Sequence, residues 1–195
     1  MTIDIDAKPD AAKMGIAYNV QTFNSQLNGA QQFKELPGSR WTGEFTWSSR
    51  QGLEARTLSA QLQSLRGPID DFRIVMPDNE RLGTALGSGV VNGADQVGTS
   101  IITDGWTANQ TILLEIGDYF EINGELKVAT QRAASDGAGN STINFQPPIR
   151  KSPANNSAVI TTDPKITMRL TAPLATHSLS APIIHAISIS AEEVV

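Results

Sequence analysis

Few side chains of this chain could catalyse a reaction or bind a metal ion, and their spacing suits neither role. The two histidines, His177 and His185, lie eight positions apart on either side of Pro182. A zinc or catalytic pair on a helix needs a spacing of about three or four residues and a nearby carboxylate. Asp70 and Asp71 are adjacent, and adjacent side chains on a strand point apart. We therefore predict strand or loop histidines, and two aspartates that solvate a loop.

Two glycine-rich segments match nucleotide-binding loops only at their start. The triplets G-S-G at 87–89 and G-A-G at 137–139 begin like a dinucleotide fingerprint. Asn92 and Thr142 stand where its third glycine should be, and no helix is predicted to follow either triplet. Asp136 lies beside glycines as in a calcium loop, but the required spacing and closing glutamate are missing. Both segments are predicted to be turns.

Trp106 is the one aromatic residue that no periodic apolar face explains. It follows Asp104-Gly105 in a predicted loop. Its indole could be a stacking platform for a sugar ring, which makes it our single candidate ligand-binding residue. The alternative, which we favour, is that the ring closes the end of a small barrel. We predict no catalytic residue, no cofactor and no metal ligand.

Composition limits the class of protein. The 195 residues include no cysteine, which excludes disulfides and thiolate metal sites and fits folding in a reducing cytoplasm. Fifteen Lys and Arg against twenty Asp and Glu give a net charge of -5 without a basic run, so we expect no sequence-specific nucleic-acid binding. The acidic start and short apolar runs predict no secretory signal and no membrane association. Sixteen glycines and ten prolines between short apolar alternations predict a mostly β protein.

The segment Trp41–Met76 carries the clearest pattern and is predicted to be the nucleus of the core. It begins with a half-buried strand, in which large apolar residues alternate with polar ones. A helix over about residues 50–66 follows, with Ser49 as its expected N-cap and Gly67 at its C′ position. A second alternating strand ends the segment. The three apolar faces are Trp41, Phe45 and Trp47; Ala55, Leu58, Leu62 and Leu65; and Phe72, Ile74 and Met76.

The rest of the chain is predicted as strands and turns. Residues 1–13 have no apolar period and are expected to be a flexible or partner-ordered arm. The turn-forming residues 82–89 are expected to be a hinge or domain boundary. The predicted strands lie near residues 16–20, 31–36, 90–91, 100–103, 112–114, 119–122, 126–130, 142–145, 166–170 and 183–189.

Asn123-Gly124 predicts a hairpin whose register has two solutions. A two-residue loop would pair Ile122 with Glu125, whereas a three-residue loop with a bulge would pair Ile122 with Leu126. We prefer the second, because it places all the apolar residues of the hairpin on one face. Pro147-Pro148 is expected to end the ladder that follows, since proline cannot donate to it.

The predicted fold class is therefore mainly β with one short α-helix. A β-sandwich-like domain is assigned to residues 1–85 with 161–195, because the last strands have no helix of their own and should return to the first sheet. A small inserted β-barrel-like domain is assigned to residues 86–160.

Several motifs together resemble those of a family of phage proteins. These are R-W-T-G-E-F-T-W from Arg40, S-L-R-G-P-I-D-D-F-R-I from Ser64, V-N-G-A-D-Q-V-G-T-S-I-I-T-D-G-W from Val91, G-D-Y-F-E-I-N-G-E-L-K-V from Gly117 and S-D-G-A-G-N-S-T-I-N-F-Q-P-P-I-R-K-S-P from Ser135. Across most of residues 40–153 the chain resembles distal tail (Dit-like) hub proteins of long-tailed bacteriophages.

The resemblance implies a non-enzymatic structural protein of the virion tail tip, made and assembled in the host cytoplasm. It implies a homo-oligomeric ring, typically a hexamer, that joins the tail tube to the baseplate. The implied partners are the tail tube protein, the baseplate hub and tape-measure proteins, and receptor-binding or side-fibre proteins. No cofactor or catalytic residue is carried over. The alternative function is a carbohydrate- or receptor-binding β-module of a tail or baseplate.

Overall fold

The computed structural model describes residues 2–78, 80–172, 176–180 and 184–194, excluding the side chains of 176 and 177. Within these residues the protein is mainly β with a single short helix, which confirms the predicted class. The helix, α1, spans Gly52–Ser64. The strands are β1 (Thr2–Ile5), β2 (Ala11–Ala17), β3 (Val20–Asn24), β4 (Gln31–Glu35), β5 (Arg40–Arg50), β6 (Asp71–Val75), β7 (Gly87–Val91), β8 (Gly98–Trp106), β9 (Tyr119–Ile122), β10 (Glu125–Ala129), β11 (Ser141–Ile149), β12 (Val159–Ile160), β13 (Lys165–Leu170), β14 (Thr176–Ser180) and β15 (Ile184–Glu193).

A seven-stranded sheet holds the first core. Its order is β1-β6-β13-β15-β5-β2. On one edge of β15, β13 pairs with residues 191–193 and β14 pairs with residues 184–188. β1 and β6 are parallel, whereas the remaining neighbours are antiparallel. Strands from both ends of the chain therefore share one sheet.

The three predicted apolar faces of the nucleus meet in this core, as predicted. One face of β5, one face of β6 and the stripe of α1 are all buried, and β13 and β15 complete the cluster. The opposite face of the sheet is polar and carries ion pairs such as Arg40–Glu192 (3.1 Å) and Arg169–Asp71 (2.8 Å). A sheet with one apolar and one polar face needs a single covering layer, which the helix begins to supply.

Both predicted helix ends are wrong by one or more residues. Ser49 is not the N-cap because β5 continues to Arg50, which pairs with His185. The N-cap is Gln51, in an extended conformation and without a side-chain capping bond. At the other end Leu65 is the C-cap, so the C′ residue is Arg66 (φ 55°), and Gly67 (φ 70°) follows it in the same left-handed region.

Residues 2–5 and 11–13 are paired in the sheet, so the predicted flexible or partner-ordered arm is wrong. Thr2–Ile5 pair in parallel with Asp71–Ile74, and Ile5 is buried in the first core. The loop after β1 is also fixed, because the Trp47 indole Nε1 donates to the Ala7 carbonyl at 2.9 Å. A parallel partner more than sixty residues away leaves no local period in such a short segment.

A six-stranded, nearly closed barrel-like sheet is built from residues 87–160, in the order β12-β9-β10-β11-β8-β7. Its two ends approach each other where the Val91 N–H donates to Ser157 O and the Asn156 N–H donates to Val91 O, both at 2.9 Å. β11 continues through both prolines to Ile149, so they do not end the strand. They coincide instead with a shift in its register against β8.

The hairpin β9–β10 adopts the register that we did not prefer. Ile122 pairs with Glu125, and the loop is Asn123-Gly124, both left-handed (φ 52° and 81°). The apolar residues consequently divide between two faces. Both faces are buried, one in the barrel and one against the first core, to which Leu126 belongs. The assumption of one buried face caused the error.

Residues 82–86, at the start of the predicted hinge, are fastened to the barrel. The Asp118 carboxylate accepts hydrogen bonds from the backbone N–H groups of Leu82 (2.8 Å) and Gly83 (2.9 Å). The next two residues donate to Ile112 O and Leu113 O. Gly83 also allows close approach, because a Cβ atom there would lie 2.5 Å from Leu113 O. The segment is therefore a fixed connection, and the proposed independence of residues 86–160 stays a prediction.

The strands β2 and β5 continue past the sheet as a second hairpin. After a break at residues 18–19 and 36–39, β3 pairs with β4 and with no other described strand. We call residues 20–35 the projecting hairpin. Every residue of β3 and β4 is exposed.

We predict that Leu62→Ala lowers the free energy of unfolding by about 2–5 kcal/mol, because it removes a fully buried side chain and leaves a cavity. Leu53, on the same helix, is the matched control: it is 82% exposed, against 2% for Leu62. Leu53→Ala should change stability by less than about 0.5 kcal/mol. Urea unfolding measures both, and equal losses would contradict the assigned helix orientation.

Candidate functional site

The two adjacent aspartates that could have formed a carboxylate site each bind an arginine. Asp70 accepts two bonds from Arg66 (2.6 and 2.9 Å), whereas Asp71 pairs with Arg169 at 2.8 Å. The two carboxylates therefore bind different arginines and do not form a paired acid site. His185 is buried in β15; the side chain of His177 lies outside the described residues.

Asp136 organises its own loop. Its carboxylate Oδ1 accepts the backbone N–H groups of Ala138 and Asn140, both at 2.8 Å. These bonds, the one from Asn140 foremost, hold the pKa of the Asp136 carboxyl below its usual value. The loop is thus a turn, as predicted. Across the described residues, no group of three or more acidic or histidine side chains is arranged to hold a metal ion.

Trp106 lies inside the second core and is only 5% exposed. It is the last residue of β8 and not a loop residue. Its indole Nε1 donates to Thr103 Oγ1 at 2.8 Å, and a Cβ atom on Gly89 would lie 1.9 Å from the indole ring. The ring has no exposed face on which a sugar could stack.

A buried charge network lies between the barrel and the seven-stranded sheet. Lys127, fully buried, donates to Glu125 at 2.7 Å and to Pro148 O at 2.9 Å. Burial holds the pKa of the Lys127 ammonium below its usual value, although the Glu125 carboxylate acts in the opposite direction. Arg150 then bridges the two sheets by pairing with Glu193 at 2.7 Å.

Glu193 is the acceptor at the centre of this junction. Its Oε2 accepts from both Arg150 and the Trp41 backbone N–H, whereas its Oε1 has no hydrogen-bond partner among the described atoms. A second pair crosses the same boundary, between Arg73 and Glu121 at 2.7 Å. Sequence reasoning missed the network because its members come from β5, β10, β15 and the end of β11 with the residue after it, and no local spacing relates them.

The base cleft is a cavity of about 570 Å³ beside this network. We define it by its two walls, residues 35–39 and residues 148–150. Leu36, Pro37, Pro148 and Ile149 make it largely apolar. Arg150 joins the walls by donating to Ser39 O at 3.3 Å. A volume of this size is typical of sites that bind a small ligand or a few side chains.

The projecting hairpin begins at this cleft and exposes apolar side chains. Val20, Phe23 and Phe33 are 47%, 48% and 67% exposed, and Leu27 at the tip is 99% exposed. The facing pairs put Val20 and Phe33 on one side of the ribbon and Phe23 on the other. Apolar side chains are therefore exposed on both sides of the ribbon. We take the hairpin and the base cleft together as the candidate site.

Compared with protein-family models and with curated protein sequences, the chain gives no match. The helix that the structure describes is too short to cross a membrane.

We predict that Arg150→Met lowers the free energy of unfolding by about 3–5 kcal/mol, because Glu193 is then a buried carboxylate without its cation. Replacing both residues by Met should recover most of that loss. Arg132→Met is the control, since its pair with Glu115 is exposed and should contribute little that can be measured. A double variant no more stable than the single one would contradict the pairing.

We also predict that Gly89→Ala lowers the free energy of unfolding by about 1–3 kcal/mol, because its methyl group overlaps the Trp106 ring. Gly137→Ala is the control within the same barrel, where the nearest atom to an added Cβ is 3.7 Å away. If thermal unfolding shows the two variants to be alike, the Trp106 ring is not seated against Gly89.

Proposed function

We propose that the protein is a non-enzymatic structural subunit of a phage tail tip, which assembles with copies of itself into a ring. The proposal joins the resemblance to distal tail hub proteins with one structural observation, the apolar exposure of the projecting hairpin. In this proposal the ring is a hexamer at the virion tail tip, between the tail tube and the baseplate hub.

The hairpin supports an assembly function because it is not stabilised by its own subunit. An isolated two-stranded hairpin is at best marginally stable in water. β3 and β4 pair only with each other among the described strands, and none of their residues is buried. Exposed apolar residues along such a ribbon are stabilised when a partner covers them. In a ring, every copy has neighbouring subunits that could cover its hairpin.

Charge supports the same proposal. Each subunit has a net charge of -5, so a ring of several copies carries a strongly negative field. Such a field repels nucleic-acid phosphates and would allow DNA to pass a tail channel without adhering. The proposed partners are the tail tube, baseplate hub and tape-measure proteins, together with receptor-binding or side-fibre proteins.

The rival function, a glycan-binding module, lacks its expected contact residue. Sugar recognition by stacking needs an exposed aromatic face. The barrel region has four aromatic residues, of which Trp106, Phe120 and Phe145 are buried and Tyr119 is half-buried against Trp41. Stacking in the barrel is therefore not supported, and the wider alternative, a carbohydrate- or receptor-binding β-module, stays a prediction.

We predict that the purified protein forms a closed oligomer whose mass, measured by light scattering or native mass spectrometry, is a whole multiple of 20.9 kDa. Phe33→Lys should weaken assembly at least about tenfold, because it replaces an apolar contact by a charge. Leu53→Lys, on the exposed side of α1, should assemble like the unmodified protein. A monomer at every concentration, with or without added tail tube protein, would refute the proposed function.

A further inference from the structure

We infer that the tip of the projecting hairpin on one subunit inserts into the base cleft of a second copy. The inference rests on the proposed self-assembly and assigns the contact that would produce it. Leu27 is the inserted side chain, and residues 35–39 and 148–150 receive it.

The tip presents Leu27 from an ordered loop. Ser25 N–H donates to Ala30 O at 2.8 Å, Gly29 N–H donates to Ser25 O at 3.0 Å, and Ala30 N–H donates to Asn28 Oδ1 at 3.0 Å. These bonds define the backbone of the turn. Leu27 is 99% exposed, and the tip thus offers one apolar side chain that its own subunit does not cover.

The base cleft matches such a side chain in character. Pro37 and Pro148 restrict the backbone of its walls, and the Asn19 side chain donates to Pro37 O at 2.8 Å, which holds the first wall in place. The pairing of Arg150 with Ser39 O and Glu193 fixes the other side. A preformed cleft with apolar walls binds an apolar group without first having to reorganise.

Charge favours a neutral occupant. The cleft contains one acidic and one basic side chain, and both are already engaged: Glu35 with Ser39 Oγ (3.4 Å) and Arg150 with Glu193. The tip, residues 25–30, has no charged side chain. It can enter without desolvating a charge of its own, and Arg150 keeps its pair with Glu193.

A Leu27 side chain that fills the cleft must come from another copy. Five residues of extended strand separate the tip from the base of the same hairpin. At a rise of about 3.3 Å per residue, this is roughly 17 Å, so Leu27 cannot reach the cleft of its own subunit. Because tip and cleft are different surfaces, the contact is head-to-tail. Repeated, a contact of this kind gives a ring when the rotation between neighbours closes and a filament when it does not.

Cysteine cross-linking tests the contact directly, because the chain has no cysteine of its own. In the double variant Leu27→Cys with Leu36→Cys, a short bis-maleimide should join neighbouring subunits into a covalent ladder that stops at the ring size. The control is Leu27→Cys with Leu53→Cys, in which the second cysteine lies on the exposed side of α1 and should give no ladder. Mixing the two single variants at 27 and 36 should give covalent dimers containing one of each.

A second measurement does not depend on cross-linking. Leu27→Asp should raise the concentration needed for half-assembly by at least about tenfold, because an apolar anchor is replaced by a charge. Gln26→Asp adds the same charge to the same tip and should have a smaller effect. If a ring forms but the 27–36 ladder is absent and the two tip variants assemble equally, this inference is wrong and the proposed function stands. If the unmodified protein stays monomeric, both are wrong.

Discussion

The burial of the β9–β10 hairpin on both faces is the constraint on which the arrangement of the two large sheets depends. Phe120 and Ile122 fill the barrel, whereas Leu126 packs in the first core. The Trp41 indole Nε1 donates to Leu126 O at 3.0 Å, and its ring lies 6.0 Å from that of Tyr119. A buried indole requires such a partner. One aromatic residue of β5 thereby joins the sheet to the barrel, together with the ion pairs Arg73–Glu121 and Arg150–Glu193.

The same register explains why charges are buried at the junction. Once Ile122 pairs with Glu125, the alternation of the strand directs Glu125 and Lys127 toward the barrel side, where apolar residues would be expected. Each charge must then find a partner, and Lys127 finds Glu125 at 2.7 Å. A buried ion pair contributes little net stability, but losing one member of it is costly. The junction is therefore sensitive to substitution without being the main source of stability.

The sequence predicts those parts of the fold whose signals are local. Alternation in β5 and β6 and the apolar stripe of α1 identify the first core, because each pattern repeats within one element. The parallel pairing of β1 with β6 has no such signal. For the hairpin at Asn123-Gly124 two registers fit the local pattern, and the burial of Leu126 by a distant strand favours the one that we did not prefer. The candidate site could not be predicted from the sequence for the same reason. Residues 35–39 and 148–150 meet only in the folded chain. The apolar residues of β3 do not lie on a buried face.

The projecting hairpin is connected directly to the strand that contacts the barrel. β4 leads through residues 36–39 into β5, where Trp41 contacts the barrel. Arg150 donates to Ser39 O in this segment. It also pairs with Glu193, which accepts a hydrogen bond from the Trp41 backbone N–H. Arg150 also lines the base cleft, so a neighbour that filled the cleft would contact the side chain that joins the two sheets.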